Sequence, residues 1–153
     1  MPEKETIRKA REDKRQGKSP STQAGEFVHE EIEHIRQGKH GARSAKQAIA
    51  IGLSKARRAG VKLPPPPKGK TSASTRKQAE RDLEKGKSHS KPSAARSRAG
   101  RKALKDEGRA AASRTALSRQ AHSAARKRSA ESRSKAARKA ARTRGSRRVP
   151  SAT

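Results

Sequence analysis

Residues 44–60, with the sequence SAKQAIAIGLSKARRAG, carry the clearest folding signal in this chain. Ser44 can cap a helix, because its hydroxyl accepts a hydrogen bond from a backbone N–H of the first turn. Gly60 suits the left-handed position that follows a helix, and the prolines at 64–67 prevent the helix from continuing. The segment therefore predicts an amphipathic helix with a face of small residues, which would let another helix approach closely. At about 100° per residue, that face holds Ala45, Ala48, Ile49, Gly52, Leu53, Ala56 and Ala59.

A second amphipathic helix is predicted within residues 19–38. Ser19 suits its N-cap and Gly38 its end. The two helices together predict a helical hairpin over residues 19–63, with Phe27 in its core. Because the hairpin has few large apolar side chains to offset the entropy of ordering, we expect it to form a homodimer or to gain order on binding.

Glu31 falls on the apolar face of this second helix. A carboxylate in that position must either pair with a base or reach water, because burying it alone is costly. Pairing with Arg43 or Lys46 across the hairpin is one alternative. We favour the other, in which the side chain reaches the rim and is solvated.

The remaining segments differ from the hairpin in composition. Residues 1–18 form a charged N-terminal segment compatible with a short helix, and residues 64–70 form a proline-rich linker. Residues 71–86 predict a short helix with alternating charges, and residues 87–153 form a basic tail rich in Ala, Ser, Arg and Lys. The sequence thus predicts a mainly α fold that consists of a small helical hairpin plus a long basic tail.

The basic tail combines opposing signals for helix formation. It has no glycine or proline between residues 109 and 144 and is rich in alanine, so its helix propensity is high. Like charges four residues apart, such as Lys135 and Lys139, oppose the helix. We therefore expect the tail to be disordered alone and helical when it is bound to phosphates.

Charge and composition restrict the classes of function. The net charge is +28, and only 27% of the residues are hydrophobic, most of them alanine, which is typical of nucleic-acid-binding or disordered chains. The lack of cysteine excludes disulfides, zinc ribbons and thiol chemistry. No apolar run is long enough for a transmembrane helix, and the first residues lack the apolar core of a secretory signal. We therefore expect a protein of the cytoplasm and the nucleoid, where nucleic acid is the abundant polyanion.

These features predict a nonspecific, histone-like, nucleoid-associated DNA-binding protein that acts by neutralising phosphates. Lysine and arginine release condensed counterions from the duplex, which makes such binding salt-dependent. Duplex DNA is favoured over RNA as the partner, because single-strand binders stack bases on aromatic rings and this chain has one Phe and no Trp or Tyr. The residues predicted to contact phosphates are Lys46, Arg57, Arg58, Arg126, Lys127, Arg128, Arg138, Lys139 and Arg142.

Two other functions use the same charges. One is an RNA- or ribosome-associated basic protein. The other is a protein-interaction adaptor in which the hairpin binds a partner and the tail only localises it. We expect neither an enzyme nor a cofactor, a small-molecule substrate or a membrane partner, because no arrangement of side chains suggests a catalytic site.

The histidines of the predicted hairpin are candidate metal ligands. His29 and His34 are five residues apart, which on a helix separates them by about 140° and places them on different faces. Glu30 and His34 share a face, and His40 follows in the turn, which allows a weak site. We favour solvated surface groups and expect no metal centre.

The turn and the helix together resemble a known family. The sequence GKHG at 38–41 is followed by KQAIAIGLS at 46–54 and by Ala56-Arg57. This pattern resembles small basic bacterial proteins of unknown function that share a KQAIAIGLSxAR helix after a glycine-rich basic turn, over about residues 23–63. Such proteins are often labelled putative DNA-binding or plasmid-stabilisation proteins, and the resemblance implies no catalytic residues. The tail is similar in composition to the basic tails of linker histones and bacterial histone-like proteins.

Overall fold

The computed structural model describes residues 1–88 and 93–147, and it divides into two compact units at residues 1–116 and from residue 117 onward. The prediction of a mainly α fold is confirmed, and the described residues contain no strand. None of the helices in this part of the chain is long and apolar enough to cross a membrane. The helices are α1 (Lys4–Arg15), α2 (Pro20–Arg36), α3 (Ala45–Arg58), α4 (Ala73–Ser88), α5 (Ala94–Lys105), α6 (Arg114–Arg126) and α7 (Ala130–Arg147), with a 3₁₀ turn at Ala110–Ala112.

The ends of α3 lie where the sequence predicts them. The Ser44 hydroxyl accepts a hydrogen bond from the backbone N–H of Gln47 at 3.2 Å. After the helix, Gly60 adopts a φ of +95°, which glycine tolerates without strain. The Val61 N–H then donates to the Ala56 carbonyl at 3.0 Å, which completes a Schellman motif. Local chemistry at both ends therefore fixes the length of this helix.

The hairpin of α2 and α3 packs closely where Gly52 faces Val28. A Cβ atom at Gly52 would lie only 2.6 Å from the Val28 Cα. The small face of α3 thus receives another helix, as its sequence predicts, and that helix is α2 of the same chain.

The core of residues 1–116 consists of two apolar clusters joined by α2. Phe27 lies in the first cluster, as predicted, and Ile35 lies in the second, and both are essentially unexposed. α1 packs against α2, α4 packs against α3, and the 3₁₀ turn contacts both helices of the hairpin. Elements of the same chain therefore cover the hairpin, and the homodimer stays a prediction. The buried members are Ala10, Ala24, Phe27, Ala56 and Val61 in the first cluster and Ile35, Ala42, Ala48, Ala111 and Ala112 in the second.

The prediction of a long disordered basic tail is wrong for the described residues. Residues 94–105, 114–126 and 130–147 are helical, and Ala111 and Ala112 are buried in the second cluster. The turn of the hairpin binds this segment directly, since Gly41 N–H donates to the Leu104 carbonyl at 2.8 Å and Ala42 N–H donates to the Gly108 carbonyl at 3.0 Å. Alanine-rich composition and serine N-caps outweigh the repulsion between like charges along these helices.

The unit from residue 117 onward consists of most of α6 and of α7. Every residue from 121 to 144 is exposed, whereas Leu117 and Gln120 near the start of this unit are half-buried. A turn at residues 127–129 separates them, and the Ser129 hydroxyl caps α7 by accepting from the Ser132 N–H at 3.2 Å. The unit therefore presents its charged side chains on all sides.

Candidate nucleic-acid interface

The three predicted phosphate contacts of the hairpin have different surroundings. Lys46 is exposed in the first turn of α3. Arg58 is exposed at the end of that helix, and its Nε donates to Oδ1 of the buried Asp82 at 2.8 Å. Asp82 also accepts from the Ser54 hydroxyl at 2.6 Å, so this carboxylate fastens α4 to α3. The exposed ammonium group of Lys46 can contact a phosphate directly, whereas the guanidinium of Arg58 already neutralises one carboxylate.

The Arg57 guanidinium forms hydrogen bonds inside the protein and does not face solvent. Its side chain is buried, and its guanidinium donates from Nε to the Leu63 carbonyl at 3.2 Å and from Nη2 to the Pro64 carbonyl at 3.3 Å. Burial lowers the pKa of this group, while the carboxylate of Asp82 acts in the opposite direction. The bonds hold the segment after α3 against the helix, so Arg57 does not fit the predicted phosphate contact.

The six predicted contacts of the tail are all exposed. Arg126 ends α6, and Lys127 and Arg128 form the turn that follows it. Arg138 and Arg142 are four residues apart on α7 and therefore share a face, whereas Lys139 points about 100° away. Glu131 is the only acidic residue from 117 to 153 in the sequence, and its carboxylate pairs with Lys135 at 2.6 Å.

Helix α1 presents a basic stripe that the sequence analysis missed. Lys4, Arg8, Arg11 and Arg15 follow one another at spacings of four, three and four residues, which places them on one face of the helix. All four are exposed, and together with Ile7 and Lys14 they line a depression on the surface. The helical spacing is visible in the sequence, but charges of both signs along the segment obscure it. We call these four residues the α1 stripe.

A second basic group joins residues that are far apart in the chain. Arg36, Arg109 and Arg114 line one depression together with Ala112 and Ser113. Arg36 Nε donates to the Ala112 carbonyl at 3.1 Å, which holds the end of α2 beside the start of α6. The Ser113 hydroxyl caps α6 by accepting from a backbone N–H in its first turn, and such helix starts favour anions. We call Arg36, Arg109 and Arg114 the arginine cluster, and no local sequence pattern could have predicted it.

The side chains of Glu31, His34 and His40 come together beneath the turn of the hairpin. Each offers one ligand atom within 4.8 Å of the others. The expectation that Glu31 is solvated is wrong, because its side chain is 0% exposed and forms an ion pair with Lys55. The expectation of solvated surface histidines is also wrong for His34 and His40, whose side chains are 12% and 14% exposed.

Comparison with known proteins finds a family similarity for part of this chain. Residues 4–68, which comprise α1, the hairpin and the proline-rich segment, match a family described as a family of unknown function (DUF6496). This agrees with the predicted resemblance to a family of unknown function and extends it to α1. Comparison with curated proteins and comparison with solved structures both give no match. The family match is limited to residues 4–68 and assigns no activity to them.

Proposed function

We propose that this protein binds duplex DNA without sequence preference, as a histone-like protein of the nucleoid, by neutralising backbone phosphates. The observation that carries the proposal is the exposure of every predicted base in α6, α7 and the turn between them. Glu131, the only acidic residue from 117 to 153, is paired with Lys135, so no carboxylate of this region competes for the others. Bases in this setting release counterions when they meet a phosphate.

The buried position of Phe27 favours a duplex over a single strand. Phe27 is the only aromatic residue of the Phe, Tyr and Trp types in the chain, and it is 1% exposed. Single-strand binders hold successive bases by stacking them on aromatic rings, and this chain offers no such ring. Contacts to the phosphates of a DNA duplex need only exposed cations, and this chain has many exposed lysine and arginine side chains.

Residues 1–116 offer additional contacts to the same ligand. Lys46, the α1 stripe and the arginine cluster are exposed cations on this unit. Arg57 is not part of the proposed interface, because its guanidinium is buried against the Leu63 and Pro64 carbonyls. Arg58 contributes less than Lys46, because it is already paired with Asp82.

Neutralising the tail should strongly reduce the salt dependence of DNA binding. The variant replaces Arg126, Lys127, Arg128, Arg138, Lys139 and Arg142 with glutamine in the full chain, which removes six proposed phosphate contacts. The slope of log K against log salt concentration should then become less negative by about 5, at about 0.9 per phosphate. Fluorescence anisotropy with a labelled duplex over a salt series measures this slope.

The matched control exchanges arginine for lysine and lysine for arginine at the same six positions. This variant keeps the charge, so its slope should stay within about one unit of the original. A neutralised variant with the original slope would contradict the assignment of these residues. Competition with structured RNA at equal salt separates the ligands, and a preference for RNA by more than about tenfold would replace duplex DNA as the target.

A further inference from the structure

A group of carboxylates and histidines, most of them buried, lies where α1, α2 and the turn of the hairpin meet. Glu31 and His34 come from α2, and His40 comes from the turn that leads to α3. Glu3, just before α1, reaches the same place, since its Oε1 lies 2.8 Å from His34 Nε2. DNA binding as proposed above uses none of these side chains.

The hydrogen bond of His40 to the backbone fixes which nitrogen faces Glu31. His40 Nδ1 lies 3.0 Å from the Gly41 carbonyl oxygen, which can only accept, so Nδ1 carries the hydrogen. A neutral imidazole then keeps a lone pair on Nε2, and Nε2 lies 3.1 Å from Glu31 Oε1. Glu31 Oε1 is fully buried and has no hydrogen-bond partner. In that form two acceptors face each other, an arrangement that a cation between them would stabilise.

His34 likewise donates from one ring nitrogen to an acceptor, and its other nitrogen lies near a buried carboxylate oxygen. Its Nε2 donates to the Glu3 carboxylate at 2.8 Å, which leaves the lone pair of a neutral ring on Nδ1. His34 Nδ1 lies 3.9 Å from Glu30 Oε1, which is also buried and without a hydrogen-bond partner. Histidines that bind metals commonly donate their second nitrogen to a carboxylate or a carbonyl, and both of these do.

When both histidines are neutral, the charges of the group sum to a negative value, which favours the binding of a cation. Three carboxylates, from Glu3, Glu30 and Glu31, meet here. Lys39 Nζ pairs with Glu3 at 3.1 Å, and Lys55 pairs with the second oxygen of Glu31. With both histidines neutral, the carboxylates outnumber the ammonium groups, and Glu30 has no lysine partner among these contacts.

We propose that Glu31, His34 and His40 bind a divalent transition metal ion of the zinc type. Imidazole nitrogens and a carboxylate oxygen are suitable ligands for Zn²⁺, whereas Mg²⁺ and Ca²⁺ prefer oxygen ligands alone. The 3.1 Å between His40 Nε2 and Glu31 Oε1 is close to the roughly 3.3 Å expected between two ligands of a tetrahedral zinc ion. Three protein ligands leave a fourth position for water. The metal would join α2 to the turn before α3, which is a structural role separate from the basic surfaces.

Titration of the full-length, chelator-treated protein with Zn²⁺ tests the proposal. Calorimetry should show one zinc ion per chain, and Mg²⁺ should give no binding. His34→Gln and His40→Gln should each lower the zinc affinity by on the order of 100-fold, because each removes a direct ligand. The matched control is His29→Gln, which changes an exposed histidine of the same helix and should leave the affinity unchanged.

A second measurement needs no variant and therefore does not depend on whether a variant folds. Zinc should shift the imidazole ¹⁵N NMR signals of His34 and His40 in the wild-type protein and leave those of His29 and His122 in place. The proposal would be overturned if zinc did not saturate at one site or if it shifted the signals of His29 and His122 as much as those of His34 and His40. It would also be overturned if His34 and His40 were both doubly protonated above pH 7 and stayed so when zinc was added. That result would mean that two ion pairs occupy the site.

Discussion

Gly52→Ala should lower the free energy of unfolding by about 2 to 3 kcal/mol. The new methyl group would lie 2.6 Å from the Val28 Cα and 3.0 Å from its backbone nitrogen. Backbone atoms of a neighbouring helix cannot rotate away as a side chain can, so α2 and α3 would have to move apart. The close contact that organises residues 1–116 would then loosen. Chemical denaturation followed by circular dichroism measures the change.

Gly25→Ala provides the matched control, because it makes the same substitution in the partner helix. Gly25 is exposed on α2, and an added Cβ would meet nothing within 4 Å. Alanine is the better helix former, so this variant should gain about 0.5 to 1 kcal/mol. Opposite signs for the two substitutions are the expected result. A Gly52→Ala variant as stable as the wild-type protein would contradict the close packing of α2 on α3.

The parts of the fold that could be predicted are those determined by neighbouring residues. The cap at Ser44, the left-handed turn at Gly60 and the small face around Gly52 each depend on a few positions in one helix. Hydrogen bonds between residues three to five apart decide the cap and the turn, and the helical period decides the face. For that reason the sequence alone was enough to predict both helices of the hairpin and their close approach.

The packing of the segment after α5 could not be predicted, because it depends on contacts across the chain. Ala111 and Ala112 are buried against the hairpin, yet alanine is frequent throughout this half of the sequence and carries no signal of burial. The bonds from Gly41 and Ala42 that hold this segment join residues more than sixty positions apart. Composition therefore predicted a tail, whereas in the structure this segment packs against the hairpin as part of the first unit.

The sequence also could not reveal which arginine side chains of the candidate interface are exposed. Arg57 and Arg58 are adjacent and equally basic in the sequence, but one is buried and the other exposed. A charged side chain on the apolar edge of a helix can bury its stem and donate to carbonyls, which a charge count does not reveal. The exposed positions of α7 were easier to predict, because that helix has no apolar face to bury.

Glu31→Ala should destabilise the protein by about 3 kcal/mol. The substitution removes a fully buried carboxylate and leaves the Lys55 ammonium group without its partner. A cation that loses its counterion inside a protein costs more than the pair contributes, although Lys55, whose side chain is 24% exposed, can still partly reach water. Denaturation in the presence of a chelator measures this cost independently of any bound metal.

Glu33→Ala, on the same helix, separates this effect from a general loss of charge. Glu33 pairs with Arg36 at 2.7 Å, but both side chains are more than one third exposed, so the change should stay within about 0.5 kcal/mol. The double variant Glu31→Met with Lys55→Met should recover much of the loss, because two apolar side chains replace the ion pair without leaving a lone charge. Equal stability of the Glu31→Ala and Glu33→Ala variants would show that Glu31 reaches solvent and that the buried ion pair does not form.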